Sequence, residues 1–375
     1  MLERHWYHYH ELFEKGLVGL YFLLGFRALG LSMIGIFIPL FLFVELQFSL
    51  SQVIVFYLLW SIAFAIISLC SLPLISRYGT KMVMVASVPL LIIGTLVLWT
   101  LASVPVLYLP AAVLQGLSMG LFWMGFHVTA IRLAKRRVVG KEMGLFTLAS
   151  VLGAIAGPVI GGVILMYSTF PILFLVTSIV LFCSMLPLLF SKEIHPRTRV
   201  SLAHFFHKKH RRYFFAYVVQ GMQFVAAGVF WPLFIFTILG SYQTLGSYAS
   251  VTMFAIGMFS LGIGAMADVW NKRWLIRIFA PIEAILWVVR PFVSSIGQVF
   301  TIGFLSGLSS SGIDVPLLAK TYAHAKKDHA VGFILFREIS LRIGEILLLL
   351  LVLLTGSIVT AFYASGIGAL AYLFF

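Results

Sequence analysis

The run FREISLRIGEILL, residues 336–348, sets two carboxylates and two guanidiniums among hydrocarbon side chains. Glu338, Arg342 and Glu345 stand at i, i+4 and i+7, so on a helix they share one face and can pair along it. Arg337 points about 100° away from that face. In water such pairs contribute only about 0.2–0.5 kcal/mol. Inside lipid, ionisable groups are costly and signal function by default. A desolvated carboxyl that exchanges an arginine partner for a proton couples charge to a change of shape. Glu345 lies about 21 Å into its apolar run by helix rise and is the candidate for that exchange, with Arg342 tuning it. Glu338 is nearer the polar end, where water reaches it.

Other polar residues interrupt the apolar runs. Asp314 lies in SSSGIDVPLL, where Pro316 lacks an N–H and frees the carbonyl of Gly312. Freed carbonyls, serine hydroxyls and a carboxylate at a broken helix suit a proton or a cation. Arg27 lies about 15 Å into the first run, a candidate for an anionic solute group or for a carboxylate partner. Gln220, Gln223 and Trp231 offer hydrogen bonds and a stacking surface, and His127 follows Trp123 by one turn. Glu283 and Arg290, seven residues apart on one face, read as a structural pair.

These residues need elements that hold them in lipid. The chain has 375 residues, 61% apolar and 10% charged, where a soluble protein is about a quarter charged. Mean hydropathy is +1.07. Too little polar surface remains to cover a soluble body, so the chain is expected to be an all-α integral membrane protein. Twelve apolar runs of membrane-spanning length follow one another: 17–44, 50–74, 82–103, 106–131, 142–167, 170–190, 213–239, 244–267, 274–296, 297–320, 331–354 and 356–375. Breaks after even-numbered runs are basic (RYGTK, RLAKRRVVGK, residues 191–212, NKR, KKDH), whereas those after odd-numbered runs hold no Lys or Arg. The positive-inside rule then puts both termini in the cytoplasm and accounts for the net charge of +14 without nucleic acid. An inner (plasma) membrane location is expected.

The expected organisation is a cytoplasmic segment 1–16, a six-helix bundle 17–190, a basic cytoplasmic linker 191–212 and a second six-helix bundle 213–375. Leu202, Phe205 and Phe206, followed by Lys208, Lys209, Arg211 and Arg212, suit either a short helix on anionic lipid or a solvated linker. The linker histidines and His5, His8 and His10 lack a metal-ligand pattern, and no metal or cofactor is expected. Cys70 and Cys183 read as small buried apolar residues. No phosphate-binding Gly loop with Lys-Ser/Thr is present, so the chain is not expected to hydrolyse ATP or to be an enzyme.

The halves repeat each other. LQGLSMG (114–120) aligns with LSGLSSS (305–311), AKRR (134–137) with AKKD (325–328), and FIPLF (37–41) with FWPLF (230–234), at offsets of 191 to 193 residues. The repeat puts Trp123 opposite Asp314. Such duplication marks a two-bundle membrane transporter with its site between the halves.

Two loops sharpen this. GAMADVWNKR carries Gly264, Asp268, Lys272 and Arg273; LPLISRYGTK carries Arg77, Gly79 and Lys81. They resemble the Gly-x-x-x-Asp-Arg-x-Gly-Arg-Lys loop of the major facilitator superfamily, although Leu72 and Ser76 replace Gly and Asp in the first copy. GAIAGPVIGG, with Gly153, Gly157, Pro158, Gly161 and Gly162, is similar to a stretch of that superfamily's drug:proton antiporters. Glycines every four residues let another helix backbone approach closely, and the proline bends the helix. The antiporters' Arg-x-x-Gln-Gly stretch is matched only in QG, with Ala112 at the arginine position. The resemblance implies two six-helix bundles around a central pathway, with the first, fourth, seventh and tenth spans lining a cavity. It implies loop charges that gate by breaking and re-forming. The expected function is secondary active transport of a small solute by alternating access, as a monomer in lipid. Proton-coupled export of an amphipathic compound leads, uptake of an anionic metabolite is the alternative, and a non-transporting receptor or scaffold is the rival class.

Overall fold

The computed structural model describes residues 17–133, 139–189, 210–325 and 330–375. These form twelve helical spans and no strand. We number them α1 (17–45, built from Leu17–Gly35, Ile38–Leu40 and a π-helical turn Phe41–Glu45), α2 (Leu50–Tyr78), α3 (Thr80–Thr100), α4 (Tyr108–Leu133), α5 (Val139–Tyr167) and α6 (Phe170–Leu189). The second half has α7 (211–239, with a π-helical turn Ala226–Phe230), α8 (Tyr242–Val269), α9 (Lys272–Val289), α10 (Ile296–Ala325), α11 (Ala330–Thr355) and α12 (Ile358–Ala369, ending in a 3₁₀ turn). Nine helices among the described residues are long and apolar enough to cross a membrane. The charged α9, the deeply polar α11 and the short α12 complete the set.

Helix is the only open structure that satisfies its own backbone in hydrocarbon, so the apolar runs have one solution. Local chemistry sets the boundaries. Ser49 and Gln52 form a reciprocal capping box at the start of α2. Gly240 ends α7 in the left-handed region at φ 68°. Gly79 joins α2 to α3 at φ 90°, a conformation that a side chain would oppose. We call the face bearing Arg77, Lys81, Lys272 and Arg273 the basic face and the other the neutral face.

Packing repeats with the sequence. α1 packs on α5 as α7 packs on α11; α2 on α4 as α8 on α10; α3 on α4 as α9 on α10; and α3 on α6 as α9 on α12. The bundles meet through α5 on α8 and α11 on α2, the same contact read in the two directions of a pseudo-two-fold. Large apolar residues stay on the outside: Leu152 is 60% exposed and Leu354 85%. That surface suits lipid, not water.

Three expectations change here. α10 runs unbroken through Pro316, so no broken-helix cradle forms around Asp314. Cys70 and Cys183 are exposed on the outer surface, not buried. α9 and α10 span 272–289 and 296–325, with a short Pro-containing turn between them, in place of runs meeting at 296 and 297. The N-terminal histidines and most of the 191–212 segment lie outside the described residues.

Candidate functional site: a cavity between the bundles

The glycine seam sets how closely the helices approach. A Cβ on Gly157 would stand 2.7 Å from Leu29 O and 2.8 Å from Met33 N, and one on Gly153 2.8 Å from Leu29 N. Gly161 likewise admits the backbone at Met33. The three press α5 on α1, and Ser32 Oγ donates to Gly153 O across the contact at 3.1 Å. The other side of α5 meets α8. A Cβ on Gly162 would lie 2.8 Å from Tyr242 O, and one on Gly246 would overlap Pro158 O. Val159 N donates to Ser250 Oγ at 3.2 Å. One helix thus packs tightly both within its bundle and across to the other.

Between the bundles lies a cavity of about 510 Å³, lined from α1, α2, α3, α4, α7, α10 and α11. Its size falls within the roughly 300–1,000 Å³ of small-molecule sites. Most of the wall is apolar and aromatic, with Tyr57, Trp60, Phe64, Trp123, Phe126 and Phe224 prominent. Gln115 and the polar face of α11 supply most of the remainder.

That face makes two clusters. Toward the basic face, Glu338 pairs with Arg337 and with His127 Nε2 at 3.3 Å. His127 Nδ1 stands 2.8 Å from the Tyr322 hydroxyl. A neutral ring with its proton on Nε2 serves both: Nε2–H donates to the carboxylate, and Nδ1 accepts from Tyr322. About two turns deeper along α11, Arg342 Nη1 pairs with Glu345 Oε1 at 2.9 Å. Ser61 Oγ donates to Glu345 Oε2 at 2.7 Å. The Arg342 guanidinium lies 4.0 Å from the Phe64 ring centroid and 5.4 Å from that of Trp60. His127, Ser61, Trp60 and Phe64 belong to the first bundle, while Tyr322 and the α11 charges belong to the second. Both clusters therefore straddle the bundle interface. Such pairs persist in a dry interior only with good geometry and further hydrogen bonds, and removing one partner typically costs about 3–5 kcal/mol.

Of the residues singled out in the sequence, Trp123, His127, Glu338, Arg342 and Glu345 line this cavity. Four expected wall residues do not. Arg27 sits behind the wall, its guanidinium 3.9 Å from the Phe122 ring centroid and its Nη2 3.6 Å from Met119 Sδ. Gln220 donates to Asp314 at 2.6 Å. Gln223 accepts from Tyr372 at 3.1 Å. Trp231 donates to the Tyr248 hydroxyl at 2.6 Å and stacks near Arg290. Asp314 is likewise off the wall, so the symmetry that set it opposite Trp123 does not extend to the cavity. Glu283 and Arg290 flank Trp287, which donates to Glu283 at 2.8 Å and carries Arg290 3.4 Å above its ring. Arg290 also donates to Ser306 at 3.1 Å.

The gating-loop candidates lie at the basic face. Arg77 stacks on Tyr78, Lys81 donates to Leu189 O at 3.0 Å and Lys272 to Ala267 O at 2.6 Å. Gly264 has open space around it. The Arg273 amide is capped by Asn271, and Asp268 is exposed and pairs with no described residue. Sequence reading set Arg337 apart from the charged face, whereas it joins Glu338 at the cavity, and it missed Tyr322, Ser61 and the α2 aromatics. Among the described residues, no group of three or more metal-ligating side chains occurs.

The sequence profile of the Major Facilitator Superfamily matches residues 20–209. No curated protein matches the chain by sequence. Three similar solved structures are of transporters. The nucleoside transporter NupG is 13% identical with a TM-score of 0.74, over 96% of this chain and 98% of its own. A POT family transporter in complex with a thioalcohol-conjugated peptide is 12% identical with a TM-score of 0.76, over 96% and 95%. The fucose:proton symporter FucP of E. coli is 14% identical with a TM-score of 0.66, over 96% and 97%. At these identities the likeness is one of fold.

Proposed function

The chain belongs to the Major Facilitator Superfamily, multi-pass membrane transporters and not enzymes, and on that premise we propose that it is a proton-coupled secondary active transporter of a small amphipathic solute, working by alternating access. One observation carries the reading: the arginines and glutamates of the cavity wall all lie on α11, and Glu338, Arg342 and Glu345 contact the first bundle at His127, at Trp60 and Phe64, and at Ser61. A rocking motion that separates α2 from α11 withdraws Ser61 from Glu345 and the aromatic faces of Trp60 and Phe64 from Arg342. Glu345 keeps Arg342 of its own helix in both arrangements, and gains solvent or a proton in one and the Ser61 hydroxyl in the other. A ligand that binds one arrangement better shifts the balance only by its difference in affinity. A proton on Glu345 is such a ligand. The solute sits against the aromatic wall, and the charges beside it sense both cargo and gate. The same reading keeps both termini on the basic, cytoplasmic side of the plasma membrane, with residues 191–212 as the linker between bundles.

The test uses the purified full chain in proteoliposomes. Acidifying one side should drive accumulation of a transported solute. Glu345→Gln should abolish that accumulation while sparing solute exchange at equal pH on both sides. Gradient-driven accumulation by the variant with an unchanged pH profile would remove Glu345 from coupling. A wild-type protein that binds solutes yet moves none would favour a receptor.

A further inference from the structure

Four guanidiniums and four carboxylates are buried or half-buried within the described spans, and they are unevenly matched. Arg337 pairs with Glu338, and Arg342 with Glu345. Arg290 and Glu283 share Trp287. Asp314 accepts from Gln220 and stands off the cavity wall. That leaves Arg27. It is 1% exposed, and its Nε and Nη1 have no hydrogen-bond partner among the described residues. Its contacts are a thioether and a phenyl face. All four of these carboxylates lie in the second bundle; Arg27 lies in the first.

A buried charge without a partner is unfavourable by several kcal/mol, and an aromatic face returns only about 2 kcal/mol of that. The guanidinium stands one side chain behind the wall. Met119, which it touches, lines the cavity. Methionine is unbranched and flexible, so it can yield to a ligand at small cost. The carboxylates on the wall are both engaged, Glu338 by Arg337 and His127, and Glu345 by Arg342 and Ser61. A cationic solute would find no free carboxylate there and an uncompensated positive charge behind the wall. An anionic solute would find the reverse, with a planar fork of donors suited to an oxyanion.

Resting on the transporter reading above, we propose that the solute is a singly charged organic anion with an apolar or aromatic body, selected by the unpaired charge of Arg27 behind Met119. The body stacks in the aromatic wall, and its oxyanion supplies the counter-charge that no described residue gives Arg27.

Three probes of one shape and different charge decide it: phenylacetate, phenylacetamide and phenethylamine, titrated calorimetrically into the purified full chain at neutral pH. Phenylacetate should bind about tenfold or more tighter than the amide, and phenethylamine weakest. Arg27→Met should erase the preference for the anion over the amide, and Arg27→Lys should retain part of it. The comparison within the wild-type protein needs no variant, so a misfolded Arg27→Met protein does not shield the proposal. Tightest binding of phenethylamine, no measurable binding of phenylacetate, or an anion preference that survives Arg27→Met each overturns it. Counterflow of labelled probe in proteoliposomes separates the two readings. Anion binding without counterflow defeats transport and leaves charge selection standing. Counterflow of phenethylamine in preference to phenylacetate keeps transport and defeats the proposal.

Discussion

α5 and α11 occupy equivalent places in the two bundles and are built from opposite materials. α5 meets its neighbours backbone to backbone, through Gly153, Gly157 and Gly161 on one side and Pro158 and Gly162 on the other. α11 meets α7 in the same close manner, with Gly344 against the Val218 carbonyl and Gly221 against that of Leu341. Toward the other bundle, however, it presents Glu345 and Arg342. One interface is neutral and short-ranged, changing only by sliding or wedging. The other is electrostatic, and a proton changes it without moving an atom far. Pseudo-symmetry supplies the same close helix contact twice, and in the proposed mechanism the asymmetry of side chains makes one copy responsive.

The comparison breaks most sharply at Glu345. Glu345→Gln should remove the pH dependence of transport and all gradient-driven accumulation, read as solute uptake across a series of imposed pH gradients. A variant that keeps the wild-type profile would make the α11 face structural. Next, wedging the neutral interface should stop transport without touching any charge. Gly246→Leu drives a side chain into the Pro158 carbonyl. Overpacking of this kind costs about 1–3 kcal/mol, read as a lowered Tm together with lost solute exchange. Gly157→Leu should act similarly through α1. If either variant exchanges solute normally, the close approach is not needed. Tyr322→Phe removes one hydrogen bond to His127, worth about 0.5–1.5 kcal/mol. It should displace the pH profile of transport while leaving exchange at the optimum within about threefold. An unchanged profile would separate His127 from coupling. The smallest effect belongs to Asp268→Asn. Asp268 is exposed, so stability should stay within about 0.5 kcal/mol. Alkylation of a cysteine placed at Phe126 should change by less than about twofold; a larger change would assign the loop a gating contact.

The fold was legible because lipid leaves the backbone few choices. Span length, the alternation of basic breaks and the repeat of FIPLF in FWPLF are coarse signals that no side-chain detail overrides. The site was legible where polarity interrupts hydrocarbon, as at Glu338, Arg342 and Glu345. It was obscured wherever rotation about a helix axis decides. Arg27, Gln220, Gln223 and Trp231 lie in cavity-lining helices but turn away from the cavity, because a helix apolar on every side shows no phase to read. Arg337 illustrates the converse. Set about 100° from its neighbours, it still joins them, because its long stem carries the guanidinium to Glu338. Ser61 and the α2 aromatics gave no signal, since serine and aromatic residues are common in apolar spans. Their importance comes from what stands opposite.

The contact of Gly162 and Pro158 with Gly246 also sets a mechanical scale. Gly162 lies five residues from the neutral end of α5, Tyr167, and 23 from the basic end, Val139. By helix rise the two arms measure about 8 Å and about 35 Å. A tilt about this fulcrum of about 10° moves the neutral end by little more than about 1 Å and the basic end by about 6 Å. The lever is unequal, so any such rotation displaces the basic end of α5 about four times as far as the neutral end.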